Sequence, residues 1–212
     1  MAATIPRNRP DLVRRGQQLE YFTIAYNTLE ALVSILAGAV AGSVSLIGFG
    51  LDSIVEVTSA PALLWRLRHD PAPSRREQVE RTTLQFVGGC FIVLAAYIAY
   101  ESSVALIHRE LPRRSIPGII LAAVSVIVMP LLARAKRKVA AGLGSGALHA
   151  DSRQTDFCAY LSAILLGGLL LNAIAGWWWA DPTAGLLMAP IIAREGVYGL
   201  KGKACCSDCG CS

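Results

Sequence analysis

The chain has 212 residues, of which 54% are hydrophobic and 17% charged, and a formal net charge of +5; its mean hydropathy is +0.48. Those values exclude a disordered chain, which needs low hydrophobicity and high net charge, and lie outside the soluble range, where about a quarter of residues are charged. The basic excess is too small to point to nucleic acid, so the reading that fits is one integral membrane domain.

Six apolar runs follow in chain order. A polar tail, residues 1–19, comes first and has no apolar core or cleavage site of a signal peptide. The first run, Tyr21 to Val40, holds one acidic residue, Glu30. The second, Ser45 to Trp65, holds Asp52 and Glu56, and the five residues 41–45 before it form a tight turn. The third, Leu84 to Ile107, holds Glu101 near one end, where it reaches water or pairs with Arg109 or Arg113. The fourth, Ile116 to Ala133, is uncharged, and the glycine-rich stretch 141–146 reads as a hinge before the fifth, Leu148 to Ala175. The sixth starts at Asp181 and extends past Arg194 and Glu195 to about Leu200. Each run is near the roughly 20 residues a helix needs to cross the hydrocarbon layer. None alternates as a membrane barrel strand does, and in lipid each segment must satisfy its own backbone. The expected fold is an all-α membrane protein: a six-transmembrane-helix bundle over residues 20–200, then a Cys-rich tail at 201–212.

Seventeen of the 20 Lys and Arg residues fall in the two tails and the even-numbered loops, leaving only Arg109, Arg113 and Arg114 on the other side. The positive-inside rule then makes both termini cytoplasmic, in a protein of the cell (inner) membrane. Trp177, Trp178 and Trp179 mark the opposite interface, where indoles favour the headgroup zone.

Ionisable groups at mid-membrane are expensive and are functional candidates by default. Asp52 and Glu56 are four residues apart, on one helix face. Two such carboxylates hold a divalent cation or else hydrogen-bond to neighbouring helices. Protons compete for the same oxygens, so metal binding and proton release would be coupled. Glu30, one turn after Asn27, is equally readable as an accessory ligand or as a satisfied buried carboxyl. In the fifth helix His149, Ser152 and Asp156 share a face, with His149 and Asp156 about 11 Å apart along the axis. One ion cannot touch both, so Asp156 is the deeper candidate and His149 an entrance residue. Asp151 reads as an interfacial partner of Arg153, and no basic residue lies within the apolar cores. Cys90 and Cys158 read as inert core residues. Cys205, Cys206, Cys209 and Cys211 crowd a reduced cytoplasmic tail, where thiolates capture soft or borderline metals or the tail has no binding role. There is no H-E-x-x-H, G-x-S-x-G or phosphate loop, so the chain does not read as an enzyme.

The stretch YFTIAYNTLEALVSILAGAVAGSVSLIGFGLDSIVEVTSA, with LHADSRQTD downstream, resembles the cation diffusion facilitator (cation efflux) family over roughly residues 20–200. The match is most specific in S-x-x-G-F-G-L-D-S-x-x-E and in A-D-x-x-Q-T-D. The resemblance implies a six-helix domain that dimerises and exports Zn²⁺ or a similar divalent ion, commonly against protons. It implies no cofactor beyond that substrate ion. The family motif D-x-x-x-D falls on Asp52 and Glu56, and [H/D]-x-x-x-D falls on Ser152 and Asp156. Ser152 departs from the pattern, since a hydroxyl is a poor zinc ligand. Glu30, Gln154 or a water would complete a more oxygen-rich shell suited to harder ions. The family places an α/β domain after the last helix; about a dozen residues follow it here, so the expected organisation is the transmembrane domain with the Cys tail. The competing reading is a membrane metal-binding regulator that does not transport.

Overall fold

In a computed structural model, residues 9–69 and 73–201 are described. The tail cysteines 205, 206, 209 and 211 lie outside the described residues. Six helices run in order: α1 Arg9–Ala41, α2 Val44–His69, α3 Pro73–His108, α4 Ile116–Leu143, α5 Gly146–Ala175 and α6 Ala180–Leu200. No strand occurs among the described residues. The six expected helices are all present, and most run beyond the apolar runs that announced them. α1 starts at Arg9, and α2 and α3 leave only residues 70–72 between them undescribed. A helix keeps its own backbone bonds in water as in lipid, so hydropathy marks where the chain meets lipid and not where the helix stops.

Among the described residues, α1, α3, α4 and α5 are each long and apolar enough to cross a bilayer. α2 and α6 are not in that group. α2 packs against α1, α3, α5 and α6, and such a helix needs less lipid-compatible surface. The tightest pairs are α3 with α6, α4 with α5 and α1 with α2. Leu29, Leu32, Leu36 and Val40 on α1 and Ile120, Ile127 and Leu131 on α4 are exposed, as lipid-facing residues must be. The chain is an integral multi-pass membrane protein.

Close approach explains the α3–α6 pair. A Cβ added at Gly88 would lie 2.6 Å from the Leu200 nitrogen and 2.7 Å from the Gly196 oxygen, and one at Gly199 would lie 2.9 Å from Gly88 Cα. Only hydrogen fits between those backbones.

The α1–α2 turn is built on Gly42, whose φ of +67° suits glycine. It is pinned by Asp181, at the start of α6. That buried carboxylate accepts from Ser43 Oγ at 2.6 Å, from Val44 N at 3.1 Å and from Ser45 Oγ. Ser43 in turn caps α2, accepting from Leu46 N at 3.2 Å. A carboxylate at the N-terminus of α2 also meets the positive end of its dipole. The hinge expected at 141–146 narrows to two residues. α4 ends on Gly144 in the left-handed region, and Ser145 caps α5 by accepting from Leu148 N.

Candidate metal centre

The spacing of four on α2 does place Asp52 and Glu56 on one face, and both are 1% exposed. α1 and α5 close over them. Asn27 Nδ2 donates to Glu56 Oε2 at 2.7 Å. The Cys158 thiol lies 3.1 Å from Glu56 Oε2 and 3.2 Å from Asp52 Oδ2. Thr155 Oγ1 approaches Glu56 Oε1 at 3.3 Å. A thiol carries one hydrogen, so it satisfies one carboxylate at a time. Asp52 Oδ1 and Asn27 Oδ1 are buried with no hydrogen-bond partner. The pocket therefore holds more acceptors than donors, the composition that suits a cation with oxygen and sulfur ligands.

Glu30 is beside this pocket but otherwise engaged. It accepts from Ser53 at 2.8 Å and from Ser125, whose hydroxyl also bonds Tyr26 at 2.8 Å. These hydroxyls satisfy its oxygens, in keeping with the second of its two sequence readings.

The fifth helix presents a different set of residues from the one its motif suggested. Asp156 is half-buried and ion-paired with Arg137 of α4. His149 is exposed. Ser152 is buried but donates to the His149 carbonyl at 2.6 Å. Gln154 is half-buried, with a buried Nε2 lacking a partner. None of these four hydrogen-bonds to Asp52 or Glu56. The reason is helical phase. Thr155 and Cys158 point at α2, and Asp156 sits about 100° around the helix from Thr155. Among the described residues, no group of three or more His, Cys, Asp or Glu side chains stands arranged to hold an ion in this conformation.

Three expectations are overturned. Asp151 pairs with Lys136 at 2.6 Å. A basic residue does lie in the interior, because Lys136 is wholly buried, 3.2 Å from Glu20 as well. Lys136 lay just beyond the fourth apolar run, which ended at Ala133, and so was counted with the loop. Cys158 is not a bystander of the core either. Its signal was present as Asp151, Thr155, Cys158 and Ser162, a polar stripe at spacings of four, three and four.

Comparison with known proteins accords with this architecture. Residues 21–201 match the model of the cation efflux transmembrane domain. An uncharacterized transporter of Methanocaldococcus jannaschii is 29% identical over 178 residues, 81% of this chain and 62% of the relative. An uncharacterized transporter of Synechocystis is 27% identical over 71% of this chain and 50% of the relative. The cation-efflux pump FieF of Shewanella oneidensis is 21% identical over 77% of this chain and 57% of the pump. The chain thus spans 50–62% of the length of these relatives. All three bear names of transporters, and none that of an enzyme. With the match extending from the first helix to the end of the last, the chain belongs to the cation efflux family.

Proposed function

We propose that the protein exports a divalent metal cation, Zn²⁺ or a similar ion, from the cytoplasm, with protons moving the other way through the same carboxylates. The observation that carries this reading is the fully buried Asp52–Glu56 pair under a single shared thiol. Two carboxylates with too few donors cannot both rest as anions in a low-dielectric interior, so each state of the site needs a cation or a proton. Exchange of one for the other is the simplest cycle that meets that need. The ligands we assign are Asp52 and Glu56, with Cys158 from α5 completing the shell and Asn27 from α1 orienting Glu56. Asp156 joins them only where α5 turns far enough to free it from Arg137, which alternating access would permit. Glu30, Ser152 and Gln154 stand around this shell, and His149 stands at its approach. Cytoplasmic termini, a homodimer and metal capture by the tail cysteines belong to the same proposal and rest on the positive-inside count and the family resemblance.

The test is Zn²⁺ uptake into proteoliposomes carrying an internal pH dye, for wild type, Asp52→Asn and Asp156→Asn. Zinc entry with proton exit, lost in Asp52→Asn, is the expected outcome. Binding of Zn²⁺ without flux would replace export with the regulator reading. Loss in Asp156→Asn equal to that in Asp52→Asn would make Asp156 a ligand of the transporting state.

A further inference from the structure

A line of buried polar side chains leads from one end of the bundle to Asp52 and Glu56. On α1 it comprises Glu20, Thr23, Asn27, Glu30 and Ser34, none more than 1% exposed. On α5 it comprises Thr155, Cys158 and Ser162, all buried, with half-buried Asp151 at its end. The end of this line is closed by a charge cluster that the ion pocket does not use. Lys136 of α4 reaches between α1 and α5, with Nζ 2.6 Å from Asp151 Oδ2 and 3.2 Å from Glu20 Oε1. The other oxygen of Glu20, Oε2, is buried with no hydrogen-bond partner. Thr155 connects the cluster to the pocket: its hydroxyl lies 3.2 Å from the Asp151 carbonyl and 3.3 Å from Glu56 Oε1. Asp151 and Thr155 are four residues apart, a rise of about 6 Å along α5. Lys136 and Glu56 also interact electrostatically.

The buried carboxylate of Glu20 and the half-buried one of Asp151, on different helices, need a cation or a proton between them. Here that cation is an ammonium on a flexible four-carbon stem, which can leave without the backbone moving. Glu20 keeps a second buried oxygen with no hydrogen-bond partner. We propose that Glu20 and Asp151 form a second divalent-cation station, filled in this conformation by the Lys136 ammonium, and that an ion passing between this end of the bundle and Asp52–Glu56 displaces it. Only the passage to Asp52 and Glu56 rests on the function proposed above; the station stands on its own residues. Lys136 is then a tethered competitor that keeps the route shut until an ion takes its place.

The test is Zn²⁺ binding by the full chain in nanodiscs, measured by equilibrium dialysis at a free concentration that just saturates the wild type. Lys136→Gln should bind one more Zn²⁺ per chain than wild type. Lys136→Arg, which keeps the charge, should bind the wild-type number. Adding Glu20→Gln and Asp151→Asn to Lys136→Gln should remove the gained ion. Differences between variants cancel ions held elsewhere, including by the tail cysteines. If Lys136→Gln unfolds, its two bare carboxylates should make Zn²⁺ raise its thermal midpoint, and the triple variant should show no such rise. A folded Lys136→Gln with no extra ion, or an unfolded one that Zn²⁺ does not rescue, overturns the proposal. Asp52→Asn with Glu56→Gln, made in the Lys136→Gln background, separates the two ideas. An extra ion that persists there while wild type shows no carboxylate-dependent binding would leave the station standing and the transport reading refuted.

Discussion

Asn27 offers the most direct measure of how the pocket works. Its amide donates to Glu56 at 2.7 Å in a fully buried setting, while its Oδ1 has no partner. Asn27→Leu keeps the branched heavy-atom skeleton, removes the donor and removes the orphaned acceptor. A hydrogen bond to a charged group contributes about 1.5–3 kcal/mol. At about 1.4 kcal/mol per decade, losing its hold on Glu56 should weaken Zn²⁺ binding by about 10- to 100-fold. Folding stability should change far less, because burying Oδ1 without a donor itself costs about 1–3 kcal/mol. The assay is isothermal titration of Zn²⁺ into nanodiscs, with thermal unfolding of the ion-free protein alongside. A loss well above 100-fold would mean that Asn27 Oδ1 touches the ion directly. Binding within twofold of wild type, in a preparation where Asp52→Asn binds nothing, would refute the view that Asn27 orients Glu56.

Cys158→Ser keeps a donor but replaces sulfur with a hard oxygen. Competitive uptake should show Cd²⁺ losing about tenfold or more relative to Mn²⁺, whereas equal losses for both would remove Cys158 from the shell. Asp181→Ala strands the hydroxyls of Ser43 and Ser45 and the Val44 N–H. It should lower stability by about 3 kcal/mol or more, read as an earlier midpoint in SDS unfolding, with Zn²⁺ affinity unchanged in the folded fraction. Gly88→Leu should separate α3 from α6 and sharply lower the yield of folded protein. Gly89→Leu, whose Cβ would meet nothing within 4 Å, should be tolerated; equal behaviour of the two would show that close backbone contact is not what joins these helices.

The six helices and the Asp52–Glu56 pair were legible because each rests on a one-dimensional signal: run length for the spans, a spacing of four for the pair. What the sequence hid was what lies beyond the end of an apolar run. Lys136 follows Ala133 by three residues and reads as loop charge, yet α4 continues to Leu143 and carries it inward. Glu20 stands one residue before the first apolar run, which starts at Tyr21, and is passed over for the same reason. The two meet only because α1 and α4 pack together, which no count along the chain reveals.

The fifth helix teaches a different lesson, about phase. The string His149-Ala150-Asp151-Ser152-Arg153-Gln154-Thr155-Asp156 attracts attention to its most charged member, and the family motif lands on Asp156. Burial sorts the same letters otherwise. Ser152, Thr155, Cys158 and Ser162 are all buried, whereas Asp156 keeps 26% of its side-chain surface and an arginine partner. The charge needs water or Arg137; the small polar groups do not, so they can face α2 at low cost. A helix that offers a thiol and hydroxyls to two carboxylates lets α2 supply the pocket's negative charge. If α5 turned Asp156 inward, a third carboxylate would enter and Arg137 would be left to find water. The balance between those two arrangements is thus set by Arg137 as much as by any ligand. Arg137→Gln should shift it, strengthening Zn²⁺ binding only in a protein that also carries Asp156.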